Sequence, residues 1–138
     1  MQLLQKADIV FYDALVSPEM LTYCPQAIAV AVGKRCGEHS WKQSEINTAL
    51  LDAVKQYPIV VRLKGGDGMV FGRADEELTT LREAGVAFEI VPGVTSALAA
   101  SAYLQKPLTK RGQARSVLLA TKAQALTSDA SIVAHADT

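Results

Sequence analysis

The sequence has no excess of charge of either sign. Its 138 residues include 14 basic and 14 acidic side chains, which gives a formal net charge of +0 at pH 7. A balanced charge provides no general attraction for nucleic acid or for an anionic membrane. We therefore expect no nucleic-acid partner, and an anionic ligand would have to be met by a local group of cations.

Cysteine is scarce, and long apolar runs are missing. Cys24 and Cys36 fit neither a zinc motif nor a disulfide framework, and His39 and His135 add no set of metal ligands. We expect no metal site, and a reduced cytoplasmic setting is the default. Because no stretch of about 18 apolar residues is present and the N-terminus lacks the layout of a signal peptide, we expect no membrane segment and no leader.

Short runs of β-branched and apolar residues recur along the chain. Several of them are apolar at successive positions, which is typical of strands covered on both faces in a parallel sheet. The predicted strands are residues 9–12, 28–32, 59–63, 88–91 and 117–121. Because helical patterns lie between them, we predict an α/β fold with a parallel sheet and right-handed crossovers.

The helical patterns have recognisable starts and ends. The predicted helices are residues 41–56, 73–84 and about 96–104, and residues 1–6 resemble the end of a further helix. In the longest one, Ile46, Leu50 and Val54 share a face. Ser40 and Gln43 have the spacing of a capping box before it. Acidic side chains open the second helix and a glycine follows it, as expected at the two ends of a helix.

Four polar loops directly follow predicted strands. They are residues 12–13, 33–35, 64–67 and 92–96. In open parallel sheets, ligands bind beyond the carboxyl ends of the strands, and these ends lie at one edge. The sequence therefore predicts that the four loops form a site together.

The stretch RLKGGDGMVFGR contains the most unusual of these loops. Gly65 and Gly66 would let a ligand lie against the main chain, and Asp67 would accept hydrogen bonds from an amine or from ribose hydroxyls. The alternative is a strand-to-helix turn in which Asp67 caps local backbone groups. The glycine spacing fits neither a dinucleotide-binding fingerprint nor a P-loop.

Two further features have both a functional and a structural interpretation. In loop 92–96, Thr95 or Ser96 is placed to cap a helix, whose free N–H groups suit a carboxylate or hydroxyl ligand or serve only the fold. Asp13 and Lys34 follow successive strands and form a candidate base and acid, or else a pair of solvated side chains.

Taken in order, these loops resemble those of the tetrapyrrole methylases, and in particular the branch that acts on uroporphyrinogen III. The matching stretches, within residues 3–121, are ADIVFYDALVSPEML, VGKRCGEHSWKQSEIN, VVRLKGGDGMVFGR, FEIVPGVTSALAASAYLQKPLTKRG and SVLLAT. The resemblance implies a two-domain α/β enzyme, usually a homodimer, that binds S-adenosyl-L-methionine and releases S-adenosyl-L-homocysteine. It would methylate uroporphyrinogen III to precorrin-2 in sirohaem and cobalamin biosynthesis.

The resemblance also implies roles for individual residues. Asp13 would be the proton acceptor and Lys34 the proton donor. The cofactor would contact Gly65, Gly66, Asp67, Val70, Thr95 and Ser96. The carboxylates of the tetrapyrrole would bind Lys34, Arg35, Lys110 and Arg111.

The sequence departs from the family pattern at three places. Family members begin with a strand and a glycine-rich loop and continue into a second domain, so we expect residues 1–113 to be a partial N-terminal α/β domain without its first strand. Residues 114–138 would then be the start of the second domain and an irregular tail. Gly68 stands where the family usually has proline. Two alternatives stay open, a non-catalytic remnant and a methylase of a later precorrin intermediate.

Overall fold

The computed structural model describes residues 2–33 and 41–121. The elements are α1 (Gln2–Lys6), β1 (Ile9–Tyr12), a 3-10 helix (Pro18–Tyr23), β2 (Ile28–Ala31), α2 (Gln43–Gln56), β3 (Val60–Leu63), α3 (Ala74–Glu83) and α4 (Ser96–Tyr103). The chain divides into two compact units, Met1–Gly93 and Val94–Thr138, and α4 belongs to the second. Within the described part of the chain, no helix has the length and apolar character needed to span a membrane.

The strands of the first unit form a three-stranded parallel sheet in the order β2-β1-β3. Ile9 lies opposite Ile28 and Val60, and the register continues without a bulge to the last pairs of the ladder. All three strands therefore end at one edge of the sheet. The predicted α/β class and the predicted parallel arrangement are confirmed.

Both faces of β1 are covered, as its unbroken apolar run predicted. On one face the buried cluster consists of Ile9, Phe11, Val32, Ile46, Leu50 and Ala53. On the other face it consists of Leu4, Ala7, Val10 and Cys24. Because successive side chains of a strand point to opposite faces, Val10 and Phe11 belong to different clusters. Full burial of such a side chain contributes about 1.5 to 3 kcal/mol.

Polar side chains hold the beginning of the sheet to α1. The Asp8 carboxylate accepts a hydrogen bond from the Ile59 N–H at 2.9 Å, and the Asp8 N–H donates to the Ile59 carbonyl at 2.9 Å. The Gln26 amide donates to the carbonyls of Leu4, at 2.9 Å, and Ala7, at 3.0 Å. The two Gln26 bonds add a partner to carbonyl groups at and just after the end of α1, where the last carbonyls lack an N–H donor from a following helical turn.

The start of α2 differs slightly from the prediction. The helix begins at Gln43, and the Lys42 N–H donates to the Glu45 carboxylate at 2.6 Å. The predicted capping residue Ser40 lies outside the described residues, and Gln43 is the first residue of the helix and not its third. Ile46 and Leu50 are buried as predicted, and Ala53, rather than Val54, completes that face.

The other two long helices agree with the prediction to within one residue at each end. Gly85 ends α3 in the left-handed conformation, with φ at 68°. Its N–H donates to the Arg82 carbonyl at 3.0 Å, and the Val86 N–H donates to the Leu81 carbonyl at 2.9 Å. This is the Schellman arrangement, in which a residue without a side chain turns the chain away and satisfies the last carbonyls.

Two predicted strands are wrong. Residues 88–91 and 117–121 are irregular. No backbone hydrogen bond joins residues 88–91 or 117–120 to another part of the chain that the structure describes. The prediction used side-chain preference, whereas a strand also requires a neighbouring backbone to bond with.

Candidate functional site

Glycines bring three strand-end loops into close contact. A Cβ atom added at Gly33, after β2, would lie 2.1 Å from the Ala14 nitrogen. A Cβ atom added at Gly65, after β3, would lie 2.9 Å from the Leu15 Cβ and 3.0 Å from its carbonyl oxygen. Real Cβ atoms do not approach other atoms this closely, so the loop that follows β1 is enclosed from two sides only because both neighbours lack side chains. The predicted clustering of these loops is confirmed.

The end of the first unit reaches the same edge. A Cβ atom at Gly93 would lie 2.1 Å from the Gly66 carbonyl oxygen, and the Gly93 N–H donates to the Asp67 Oδ2 at 3.3 Å. Gly66 itself has a left-handed backbone, with φ at 70°. The glycines of this edge are thus needed because they let segments of the protein's own chain approach each other closely.

The Asp67 carboxylate has local partners on both oxygens. Oδ1 accepts a hydrogen bond from the Met69 N–H at 2.8 Å, and Oδ2 accepts the one from Gly93. The turn-forming interpretation of this residue therefore applies. Each carboxylate oxygen retains acceptor capacity, Asp67 is half-buried and Gly66 is exposed. The loop therefore fits a ligand that carries hydrogen-bond donors and lies against exposed backbone.

Asp13 is held by an arginine that sequence reasoning missed. The Arg62 Nη2 donates to the Asp13 Oδ1 at 2.6 Å. The Arg62 Nη1 also donates to the Leu63 carbonyl at 3.1 Å. The predicted acid partner Lys34 and its neighbour Arg35 lie outside the described residues.

A buried glutamate joins Arg62 to a second cation. The Glu77 Oε1 accepts from the Arg62 Nε and from the Gln43 Nε2, both at 3.1 Å, and its Oε2 lies 3.1 Å from the Lys64 Nζ. The side chain of Glu77 is only 5% exposed. We call Asp13, Arg62, Lys64 and Glu77 the strand-end ion network. A signal for it was present, because a charged residue such as Arg62 within an otherwise apolar predicted strand needs a partner.

The cations nearest to the glycine-rich loop are already paired. The Lys64 Nζ also donates to the Gly72 carbonyl. Arg73 forms a two-pronged ion pair with the Glu76 carboxylate, at 2.6 and 2.8 Å. The hydrogen bond between them raises the pKa of Arg73 and lowers the pKa of Glu76. These two cations therefore add little free positive charge to the edge.

The predicted contact Val70 lies in the first unit, where its N–H donates to the Asp67 carbonyl at 3.1 Å. The other predicted site residues that the structure describes belong to the second unit. Thr95 precedes α4, where its carbonyl accepts from the Ala99 N–H at 3.0 Å, and Ser96 is the first helical residue. Lys110 pairs with Ala114 through backbone hydrogen bonds of 2.9 and 2.8 Å. Arg111 lies in the turn between them, and the side chains of Lys110 and Arg111 are exposed. The roles assigned to these four residues, Thr95, Ser96, Lys110 and Arg111, stay predictions.

Metal ligands do not cluster in the part of the chain that the structure describes. Within residues 2–33 and 41–121, no group of three or more His, Cys, Asp or Glu side chains is arranged to hold a metal ion. The polar groups that the structure describes at the strand edge are therefore carboxylates, side-chain amides, cations and backbone N–H and C=O groups.

Comparison with known proteins gives a consistent result. The family model for tetrapyrrole (corrin/porphyrin) methylases matches residues 1–138. The uroporphyrinogen-III C-methyltransferase of Methanobacterium ivanovii is 48% identical over 118 residues, which are 86% of this chain and 51% of that protein. The siroheme synthase of Baumannia cicadellinicola is 50% identical over 122 residues, which are 88% of this chain and 26% of that protein.

Solved structures agree with the sequence comparison. The uroporphyrin-III C-methyltransferase of Thermus thermophilus, complexed with S-adenosylhomocysteine, has a TM-score of 0.71 at 47% identity and is matched over 83% of this chain and 47% of that one. A cobalt precorrin-4 methyltransferase has a TM-score of 0.70 at 34% identity. This chain spans about half the length of the methyltransferases it matches and about a quarter of the siroheme synthases. It belongs to the tetrapyrrole (corrin/porphyrin) methylase family.

Proposed function

We propose that this chain is part of an S-adenosylmethionine-dependent methyltransferase that converts uroporphyrinogen III to precorrin-2, in sirohaem and cobalamin biosynthesis. The observation that carries the proposal is the 47% identity, at a TM-score of 0.71, to a uroporphyrin-III C-methyltransferase solved with S-adenosylhomocysteine. The relatives named uroporphyrinogen-III C-methyltransferase and siroheme synthase support the same reaction.

The strand edge of the first unit would hold the cofactor. S-adenosylmethionine, when bound, supplies a methyl group carried on a positively charged sulfur. We assign contacts with it to Gly65, Gly66, Asp67 and Val70. The further contacts that the family resemblance gives to Thr95 and Ser96 stay predictions. Two backbone N–H groups hold the Asp67 carboxylate in place. The Asp67 carboxylate therefore requires little reorganisation when a ligand binds, and this favours affinity.

Asp13 suits the role of proton acceptor because its carboxylate is directed by Arg62. The 2.6 Å bond between them fixes one carboxylate oxygen and leaves the other for a proton. Lys34 would be the proton donor. We assign binding of the substrate carboxylates to Lys34, Arg35, Lys110 and Arg111, because cations form strong hydrogen bonds with carboxylates. The homodimer, the cytoplasmic setting and the domain boundary at residue 113 stay predictions.

Calorimetry with S-adenosylhomocysteine tests the proposal. We expect the 138-residue chain to bind it saturably, and Asp67→Ala to weaken binding about tenfold or more, because a hydrogen bond to a charged group contributes about 1.5 to 3 kcal/mol. Asp67→Asn, which keeps an acceptor oxygen, should lose less. Asp52→Asn is the matched control, since the exposed Asp52 carboxylate pairs with exposed Lys55 on α2.

Two other outcomes would favour the alternatives. If a folded chain shows no binding, the chain is a non-catalytic remnant as it stands. A methylase of a later intermediate is supported by the 34% identity to the cobalt precorrin-4 methyltransferase. Transfer of labelled methyl groups to uroporphyrinogen III and to cobalt precorrin-4, compared side by side, distinguishes the two substrates.

A further inference from the structure

Glu77 is a buried charged residue to which the proposed chemistry assigns no role. Among residues 2–33 and 41–121 it is the only charged residue that is buried. It lies in the first turn of α3, where a carboxylate is favoured by the helix dipole. That preference is satisfied equally well by an exposed position, and burial of a carboxylate is costly unless it is paired and hydrogen-bonded. Its position inside the protein therefore needs a further reason.

The partners of Glu77 lead to the two predicted functional loops. Arg62 and Lys64 are two positions apart and both reach its carboxylate, at 3.1 Å each. Arg62 extends from Glu77 to Asp13, where its Nη2 donates at 2.6 Å. Lys64 extends from Glu77 to the carbonyl of Gly72. One carboxylate on α3 is therefore connected to the loop after β1 and to the loop after β3.

The connection through Lys64 closes a loop. Residues 64–72, which we call the glycine loop, begin at Lys64 and end at the carbonyl that its ammonium binds. The stem of Lys64 also fills the space beside Gly68, where an added Cβ would lie 2.9 Å from the Lys64 Cδ. Glu77 fixes the ammonium, the ammonium joins the two ends of the loop, and the loop presents Asp67.

We propose that Glu77 is a positioning residue for this site. Through Lys64 it holds the glycine loop in the form that presents Asp67, and through Arg62 it directs the Asp13 carboxylate. The significance for cofactor binding rests on the proposed function. The effect on the loop does not, because it can be measured without a ligand.

Amide hydrogen exchange by NMR on the 138-residue chain tests the effect on the loop. Glu77→Gln keeps the shape of the side chain and removes its charge, and Lys64→Met removes the other half of the clamp. In both variants we expect the amides of Met69 and Val70 to exchange at least about tenfold faster than in the parent, because these amides report on local opening of the loop. Both amides donate to Asp67.

The matched control is Glu76→Gln. Glu76 is the neighbouring residue, and it is exposed and paired with Arg73 at the surface, so its loss should leave exchange in the glycine loop unchanged. If Glu77 only stabilised the fold as a whole, Glu77→Gln would accelerate exchange in β1, whose amides exchange through global unfolding. The amides of Met69 and Val70, which exchange through local opening of the loop, would then be unchanged. That result would overturn the inference.

A double variant identifies the shared route. If Glu77 acts on the loop through Lys64, the two substitutions together should accelerate loop exchange no more than about twofold beyond the larger single effect, since residues in one network are not additive. Multiplied effects would overturn the route through Lys64. If Glu77→Gln does not fold, Lys64→Met remains as the test. The proposal requires this variant to loosen the glycine loop by itself, and unchanged exchange at Met69 and Val70 would overturn it.

Binding of S-adenosylhomocysteine by the same variants separates this inference from the proposed function. We expect Glu77→Gln and Lys64→Met to bind about tenfold more weakly than the parent and than Glu76→Gln, because an unfixed loop must be ordered on binding. If the two variants show faster exchange in the glycine loop but the parent chain binds no S-adenosylhomocysteine, the positioning of the loop by Glu77 and Lys64 is supported and the proposed function is contradicted. Unchanged affinity in a chain that binds would overturn the positioning role.

Discussion

Arg62 shows how a single residue can connect a strand to a site. It lies in β3 among Val60, Val61 and Leu63, and its guanidinium reaches Asp13, Glu77 and backbone carbonyls. An ion pair that is shielded from water contributes little net stability relative to an apolar pair of the same shape, but removal of one partner leaves the other charge unpaired. Arg62 is therefore expected to be far more sensitive to substitution than a surface arginine.

The substitution Arg62→Met tests this expectation at the residue scale. It removes the Arg62 cation from Asp13 and one of the two cations that the structure describes beside Glu77, so the free energy of unfolding should fall by about 3 to 5 kcal/mol. Urea denaturation followed by circular dichroism measures the change. Lys55→Met is the control, because the pair of Lys55 with Asp52 is well exposed and should contribute at most about 1 kcal/mol. Equal losses in the two variants would contradict the argument.

The glycines at the strand edge also differ in what they tolerate. A Cβ at Gly93 would meet the Gly66 carbonyl at 2.1 Å, whereas a Cβ at Gly68 would meet only the flexible stem of Lys64 at 2.9 Å. We expect Gly93→Ala to lower the free energy of unfolding by about 1 to 3 kcal/mol, as overpacking does. Gly68→Ala should cost less. Thermal unfolding of both variants checks this, and the reverse order of the two losses would mean that the backbone contact is not rigid.

At the scale of elements, neighbouring backbone decides which apolar runs become strands. Residues 9–12 (IVFY) and residues 88–91 (FEIV) are both rich in strand-forming side chains, although Glu89 interrupts the second segment, and only the first segment is a strand. β1 lies between two other strands and bonds to both. Phe88, Ile90 and Val91 are exposed, so the second run lacks burial as well as pairing.

Hydrogen exchange can verify this difference between elements. We expect the amides of residues 88–91 to exchange at least about a hundredfold faster than those of β1, because opening of unpaired backbone costs almost no free energy. Two-dimensional NMR after transfer into heavy water gives both rates in one sample. Protection of residues 88–91 at the level of β1 would show that they pair with another strand in solution.

At the scale of the whole molecule, many large apolar side chains are exposed. In the second unit the exposed large apolar side chains are Val94, Leu98, Tyr103, Leu104, Leu108, Val117, Leu118 and Leu119. Contiguous apolar patches of more than a few hundred square ångströms are uncommon on monomeric proteins. The zero net charge adds no repulsion between molecules.

We therefore predict that the chain associates with itself. Sedimentation velocity should give a mass above the 14.7 kDa of one chain, and dilution should lower it, because association follows mass action. Binding of an apolar fluorescent dye should decrease in the associated fraction if the exposed apolar side chains form the contact. A monomer at all concentrations that also binds no dye would contradict the prediction.

Much of the fold could be predicted because it depends on local patterns. The run at 9–12, the face containing Ile46 and Leu50, and the stop at Gly85 each express a preference of neighbouring residues. The clustering of the loops followed from parallel strands alone. The pairing of Arg62 with Glu77 could not be predicted, because the two residues are 15 positions apart in sequence and meet only when the tertiary structure brings α3 close to the end of β3.

Motif order and hydrophobic period are properties of the chain, and they are sufficient to predict the α/β class, the edge at which the loops meet and the resemblance to the tetrapyrrole methylases. The pairing of Asp13 with Arg62, the burial of Glu77 and the approach of Gly93 to Gly66 are known from the folded protein alone. The same holds for the finding that residues 88–91 form no strand. The physical reason is the same in each case: ion pairs, close backbone contacts and strand pairing depend on distances in space, which sequence spacing does not specify.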